Sequence, residues 1–187
     1  MQNLKLLACA GCAVLISSVS PVRADSSEAK FASGAGNLIY LGVGTLLPLL
    51  EDGKDGKEHA ARTADAVLTS TLFTEVLKHV VREKRPHSDE RTSFPSGHAT
   101  AAFAVATMQS HYHPKQSLLW YGGATLIAAS RVQLHRHFTH DVIAGAAVGY
   151  FTSKFELKRP HGLLLTPFIH DAGGGTRAAG LQLSHSF

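Results

Sequence analysis

Cysteine is almost absent from this chain: of 187 residues only Cys9 and Cys12 carry a thiol, and both lie near the N-terminus. A chain that loses its first 24 residues keeps neither, which excludes disulfides and thiol chemistry. A strong charge of one sign is missing too. The formal net charge is +4, and removal of Lys5 and Arg23, with no acid before Asp25, leaves +2. That is too little to draw in a nucleic acid. Long apolar runs are also scarce in the second half. Ser117 to Ser130 is uncharged for fourteen residues and Val142 to Ser153 for twelve, both short of the ~20 that span a bilayer. A soluble or peripherally membrane-attached protein is therefore expected, although glycine- and alanine-rich helices leave membrane contact open. No internal repeat is visible, and the length suits one domain with a real core.

Residues 1–24 read as a cleaved secretory signal. Lys5 precedes an uncharged stretch from Leu6 to Val22, and Val22-Arg23-Ala24 has the spacing a signal peptidase reads. An uncleaved anchor is the alternative, opposed by Gly11, three serines and Pro21 in a stretch too short to span. A lipoprotein reading of Leu6-Leu7-Ala8-Cys9 leaves almost no apolar region ahead of the cysteine. Export to a periplasm is the expectation, with a helical domain over 25–154 and a tail over 155–187.

Periodicity predicts an all-α bundle of five to six helices. Phe31 to Leu50 is uncharged but holds four glycines, Asn37 and Pro48, and reads as a buried or membrane-leaning helix from Asn37 onward. Residues 51–58 form a solvated loop. Val67, Leu68, Leu72, Val76 and Val80 recur at helical steps, so a long helix is expected from Glu58 to Lys84, ended by Pro86. A helix of small residues follows from Ala99 to Gln109 and another from Gln116 to Ser130. As an out-and-back hairpin they return Arg131 to the end of the bundle that holds His98. The last helix starts near Thr139. From Gly162 the chain turns apolar, then glycine-rich, then alternating through Phe187, which reads as an appended β-hairpin with a disordered tail as the alternative.

Three clusters bring chemistry to that shared end. Lys78 and Arg85 are seven apart, two helical turns, and so are expected on one face within reach of one anion. Alone, the pair is no more than a basic helix end. In Pro95-Ser96-Gly97-His98 the proline suits a first helical turn and Gly97 lets backbone approach a ligand. The N–H groups of Ser96, Gly97 and His98 are then expected to face an anion. A plain loop-to-helix junction capped by Ser96 explains everything here except His98, which is placed to donate a proton to a leaving oxygen. Ser130-Arg131 is followed by His137 and Asp141, four apart. A carboxylate on one ring N–H leaves the other nitrogen free as a nucleophile. Three permanent cations (Lys78, Arg85, Arg131), a helix N-terminus and two histidines are what phosphoryl transfer needs when no metal helps it.

In that order, K-x6-RP, PSGH and SR-x5-H-x3-D resemble the type 2 phosphatidic acid phosphatase and vanadium haloperoxidase superfamily, in the manner of bacterial acid phosphatases. The likeness runs from about Asp65 to Tyr150. It implies a metal-independent phosphatase acting on phosphomonoesters or pyrophosphates, most readily those of lipids. It also implies roles. His137 would take the phosphoryl group as phosphohistidine, Asp141 would orient it, and His98 would protonate the leaving group and later activate water. Lys78, Arg85, Ser96, Gly97 and Arg131 would hold the phosphate oxygens. His140 stands where the family often has a small polar residue.

Two other readings stay open. Vanadate can occupy the same cationic pocket through His137, as inhibitor of a phosphatase or as cofactor of a haloperoxidase, although the chain is short for the latter. A non-catalytic anion-binding envelope protein would need the cations but not His98, His137 and Asp141. His135, His137, His140 and Asp141 also resemble a metal cluster, yet a divalent ion beside three converging cations is disfavoured. No metal is expected. The remaining histidines show no spacing beyond surface placement.

Overall fold

The computed structural model describes residues 26–159, 162, 165–171 and 177–183. The signal expected over 1–24 lies outside the described residues, as do both cysteines. The expected all-α bundle is present: α1 (Ser26–Ser33), α2 (Ala35–Leu46), α3 (Pro48–Glu51), α4 (Gly56–Val81), α5 (Gly97–Tyr112), α6 (Ser117–Gln133) and α7 (Thr139–Lys158). Beyond it β1 (Leu165–Asp171) and β2 (Arg177–Leu183) pair antiparallel, Leu165 opposite Leu183.

α5 is the axis, packed against α2, α4, α6 and α7. Its alanines allow this. Ala99, Ala102, Ala104 and Ala106 are fully buried, and short side chains let neighbouring helix axes approach. α7 comes close enough that only glycine fits. A Cβ on Gly149 would lie 2.2 Å from the Thr100 carbonyl oxygen, and one on Gly145 would lie 2.5 Å from that of Ser96. This contact sets the start of α7 beside the start of α5.

α4 departs from expectation at its end. It stops at Val81, four residues before the residue that precedes Pro86, because Arg82 takes a left-handed conformation with φ of 53°. The loop then folds onto itself: the Ser93 N–H donates to the Glu83 carbonyl at 3.0 Å and that of Arg85 to Glu90 at 2.9 Å. Those tertiary bonds, not the proline, end the helix.

The partition of polarity is reversed from that of a typical water-soluble domain. Thr63, Asp65, Ser70, Thr74, Thr100 and Gln109 are fully buried. Thr74 Oγ1 donates to Thr100 Oγ1 at 2.9 Å, Gln109 Nε2 to the Gly44 carbonyl at 2.5 Å, and Arg62 Nε to the buried Glu156 at 3.0 Å. Outside, Leu50 is 85% and Leu118 88% exposed, and Leu72, Phe73, Val76, Phe151 and Phe155 are each at least half exposed. Exposed charge gathers at the two ends, around residues 51–58 and 154–159 at one and 82–91 at the other. At the far end Asp52 braces His59 at 2.5 Å and His113 at 3.3 Å.

Among the described residues the helices between motifs fall short of a membrane span, as expected, and one stretch nearer the N-terminus does not. Ser27–Glu51 spans 25 residues and contains an 18-residue window of mean hydropathy 1.3, long and apolar enough by length and composition to cross a membrane. The helices between motifs outrun their uncharged windows, with 17 residues in α6 and 20 in α7. They continue through Arg131 at the site end and through Lys154 and Lys158 at the other, where charged groups reach water.

Candidate active site

The three motifs meet at one end of the bundle, as expected, but by local routes that differ. Lys78 sits in the last turn of α4, its Nζ 2.6 Å from Glu75 and 3.4 Å from where a Cβ on Gly97 would stand. Arg85 lies in the loop beyond the helix, 3.3 Å from Glu90. The two cations therefore do not share a helix face; the folded loop carries Arg85 back to the site.

Pro95 lies outside the helix rather than in its first turn. Ser96 is the N-cap of α5 and Gly97 its first residue. The Ser96 N–H is not free for an anion either, since it donates to the Asp141 carbonyl at 3.0 Å. Gly97 and His98 hold first-turn positions, whose N–H groups have no acceptor within their own helix.

A tight turn couples the last motif. His135 takes φ of 50°, and the N–H groups of Arg136 and His137 both donate to the Arg131 carbonyl, at 3.0 and 3.3 Å. Phe138 is the N-cap of α7, so His137 precedes the helix and the four-residue helical spacing does not apply. Asp141 in the first turn folds back instead, and its Oδ2 accepts the Phe138 N–H at 2.8 Å and the Ser93 hydroxyl at 2.5 Å. His137 Nδ1 lies 3.5 Å from that oxygen, both side chains buried. The distance is that of a close ion pair, longer than a hydrogen bond.

His98 and His137 feel the same cations. Burial first, then the charges of Arg131, Lys78 and Arg85, push His98 down to about 4, against the pull of the Ser33 backbone. His137 is lowered by burial, then Arg131 and Arg85, opposed by Asp141 and the Ser93 backbone. Both imidazoles are thus neutral near pH 7. Arg85 Nε, Ser96 Oγ, Arg131 Nε and His137 Nδ1 are buried without a hydrogen-bond partner. Buried donors of this kind are costly unless something accepts from them; His137 Nδ1 faces Asp141, and an anion with several oxygens would satisfy the other three together.

Three further residues shape the site without having been marked by the sequence. Ser33, at the end of α1, accepts from Arg131 Nη1. Ser93 holds Asp141. Glu83 pairs with His140 Nε2 at 2.8 Å, which is also 3.2 Å from Asp141 Oδ1, with the His140 ring stacked on Phe138. Serine and glutamate are too common for spacing to single them out. Ligand atoms of Glu83, His140 and Asp141 lie within 4.8 Å of one another, a different trio from the histidine cluster considered above. Ser93 and Phe138 occupy Asp141 Oδ2, while Oδ1 is the oxygen that faces His140.

The chain is similar to known proteins in sequence and in fold. The PAP2 superfamily matches residues 63–162. A lipid A 1-phosphatase of Porphyromonas gingivalis is 39% identical over 69 residues, which are 35% of this chain and 16% of that protein. The chain thus spans less than a fifth of that curated relative. The crystal structure of Aquifex aeolicus LpxE superposes with a TM-score of 0.57 at 26% identity, covering 72% of this chain and 83% of that one. That of the first transmembrane PAP2 type phosphatidylglycerolphosphate phosphatase from Bacillus subtilis gives 0.45 at 25% identity, over 77% and 90%. Since the match takes in more than half of the residues and runs from within α4 to beyond α7, the chain belongs to the PAP2 superfamily.

Proposed function

We propose that this chain is a metal-independent phosphatase that hydrolyses phosphomonoesters or pyrophosphates of lipids through a phosphohistidine on His137. The observation that carries this reading is a neutral, buried imidazole whose Nδ1 faces Asp141, set beside Arg85 and Arg131, each with an unpartnered Nε donor. With Nδ1 turned to the carboxylate, Nε2 is the attacking atom. Its lone pair forms the N–P bond as the bond from phosphorus to the leaving oxygen breaks, and His98 gives that oxygen its proton. Water then attacks phosphorus, His98 takes the water proton, and the N–P bond breaks to release phosphate.

His98 must carry a proton for the first step. In the free site burial, then Arg131, Lys78 and Arg85, hold it neutral, whereas a bound phosphate dianion offsets those charges and favours protonation. Substrate thereby arms its own acid. The lipid class is supported by the lipid A 1-phosphatase relative and by the apolar exterior, which we read as facing acyl chains. The signal read in residues 1–24 places the site on the exported side of the membrane in this proposal.

The test is to incubate purified protein with labelled phosphatidate in chelator. Phosphate release in EDTA, inhibition by vanadate, and an acid-labile phosphoprotein absent from His137→Ala are the expected results. A phosphoprotein that persists in His137→Ala, or activity restored only by a divalent metal, refutes the mechanism. Carbonate should leave the protein in the membrane fraction and detergent should release it.

A further inference from the structure

On the outer side of Lys78 lies a second cationic cavity of about 300 Å³, lined by Lys78, His79, Arg82, Arg91 and Thr92. No acidic side chain is among the described residues of its wall. The neighbouring cations are neutralised: Lys84 pairs with Asp89 at 2.8 Å and Arg85 with Glu90 at 3.3 Å. Arg82 and Arg91, in contrast, make no ion pair or side-chain hydrogen bond among the described residues. His79 engages Nδ1 with the Glu75 carbonyl at 2.8 Å, which leaves Nε2 unused.

A scatter of basic residues on a convex surface would be ordinary solvated charge. Here the cations line a concavity, and the fold forces them there. The left-handed break at Arg82 ends α4, and the Ser93 to Glu83 backbone bond of 3.0 Å returns Arg91 to the same helix end. Lys78 is paired with Glu75 at 2.6 Å, but the unpaired Arg82 and Arg91 repel each other across the concavity, and an anion between them would offset both charges. Two guanidiniums suit a phosphate-class anion, because each can offer paired N–H donors. Lys78 belongs to both pockets, since its Nζ also stands against Gly97 at the catalytic helix start.

We propose that this cavity binds a second phosphate-class group on the same substrate molecule whose first phosphate enters the catalytic pocket. The inference rests on the phosphatase reading for the identity of that molecule. It narrows the substrate class to lipids with two anionic groups, one of which is hydrolysed while the other anchors the headgroup. A neighbouring anionic lipid could bring the same chemistry, and the experiment separates the two sources.

The full chain carrying His137→Ala, in detergent micelles, is titrated calorimetrically with butyl phosphate and with α,ω-alkanediol bisphosphates of increasing length. The best-spaced bisphosphate should bind on the order of 10-fold tighter than butyl phosphate. Adding Arg82→Gln and Arg91→Gln should remove that advantage, while Lys115→Gln at the far end, equal in charge loss per residue, should keep it. An advantage absent at every spacing, or one that survives the double substitution, overturns the proposal. So does an Arg82- and Arg91-dependent gain seen only when phosphatidylglycerol is added to the micelles, which assigns the cavity to a neighbouring lipid. The readout is binding, so failure of turnover, which would refute the phosphatase reading, is a separate result.

Discussion

Ser93 and Asp141 are joined by a buried hydrogen bond of 2.5 Å, the serine hydroxyl donating to Oδ2 across 48 residues of chain. The same oxygen accepts the Phe138 N–H and lies 3.5 Å from His137 Nδ1. One carboxylate therefore fixes the loop after α4, caps α7 and faces the proposed nucleophile. Ser93 acts on His137 only through Asp141, as a positioning residue.

Ser93→Ala should lower kcat more than it changes KM. A hydrogen bond to a charged group is worth roughly 1.5–3 kcal/mol, which corresponds to about 10- to 100-fold in rate. Ser93→Thr, which keeps the hydroxyl, should recover part of the loss. If Ser93→Ala alters only thermal stability, the serine braces the fold and does not position Asp141 for catalysis.

The pH dependence has a defined sign. His137 attacks only when neutral, and burial with Arg131 and Arg85 lowers it below the ordinary 6.5. The acid limb of kcat/KM should accordingly lie below 6.5. Arg85→Gln removes one depressing charge, so the limb should move to higher pH; a limb that stays or moves lower counts against the electrostatic account. Stability follows by linkage. His98, at about 4 when folded, binds its proton more readily unfolded, so stability present above about 6.5 is lost as pH falls toward 4. Urea midpoints at pH 7 and pH 5 measure it.

His98→Ala should cost about 10²- to 10⁴-fold on substrates with poor alkoxide leaving groups, the usual range for general acid catalysis. An aryl phosphate with an acidic phenol needs no proton at the departing oxygen. It should recover much of the first step in a burst experiment. Equal losses on both substrates would remove His98 from the acid role.

Gly149→Ala should destabilise the protein by about 1–3 kcal/mol, the usual penalty for forcing a methyl into a packed contact. The clash is with backbone, the Thr100 carbonyl, which cannot swing aside. Gly122→Ala, where a Cβ meets nothing within 4 Å, is the matched control and should be neutral or stabilising. Similar melting temperatures for the two variants would show that α5 and α7 do not need that close approach.

The family and the candidate site residues were legible in the sequence by itself. K-x6-RP, PSGH and SR-x5-H-x3-D named Lys78, Arg85, Ser96, Gly97, His98, Arg131, His137 and Asp141. The helical periods were enough to place all three motifs at one end, because two antiparallel helices of similar length must return the chain to its start. Helix existence was legible since it depends on local spacing of apolar and small residues.

Tertiary structure decided the rest. Helix ends at Arg82 and Ser96 depend on bonds to other segments, Ser93 to Glu83 and Ser96 to Asp141, so periodicity misplaced them, whereas α7 starts at Thr139 as expected. Ser33, Glu83 and Ser93 entered the site for the same reason: their partners lie 98, 57 and 48 residues away in sequence. The reversed polarity was hidden as well. Counting uncharged runs asks only what each helix contains, whereas burial of Thr100 and Gln109 with exposure of Leu118 and Phe151 depends on which face each helix turns to its neighbours.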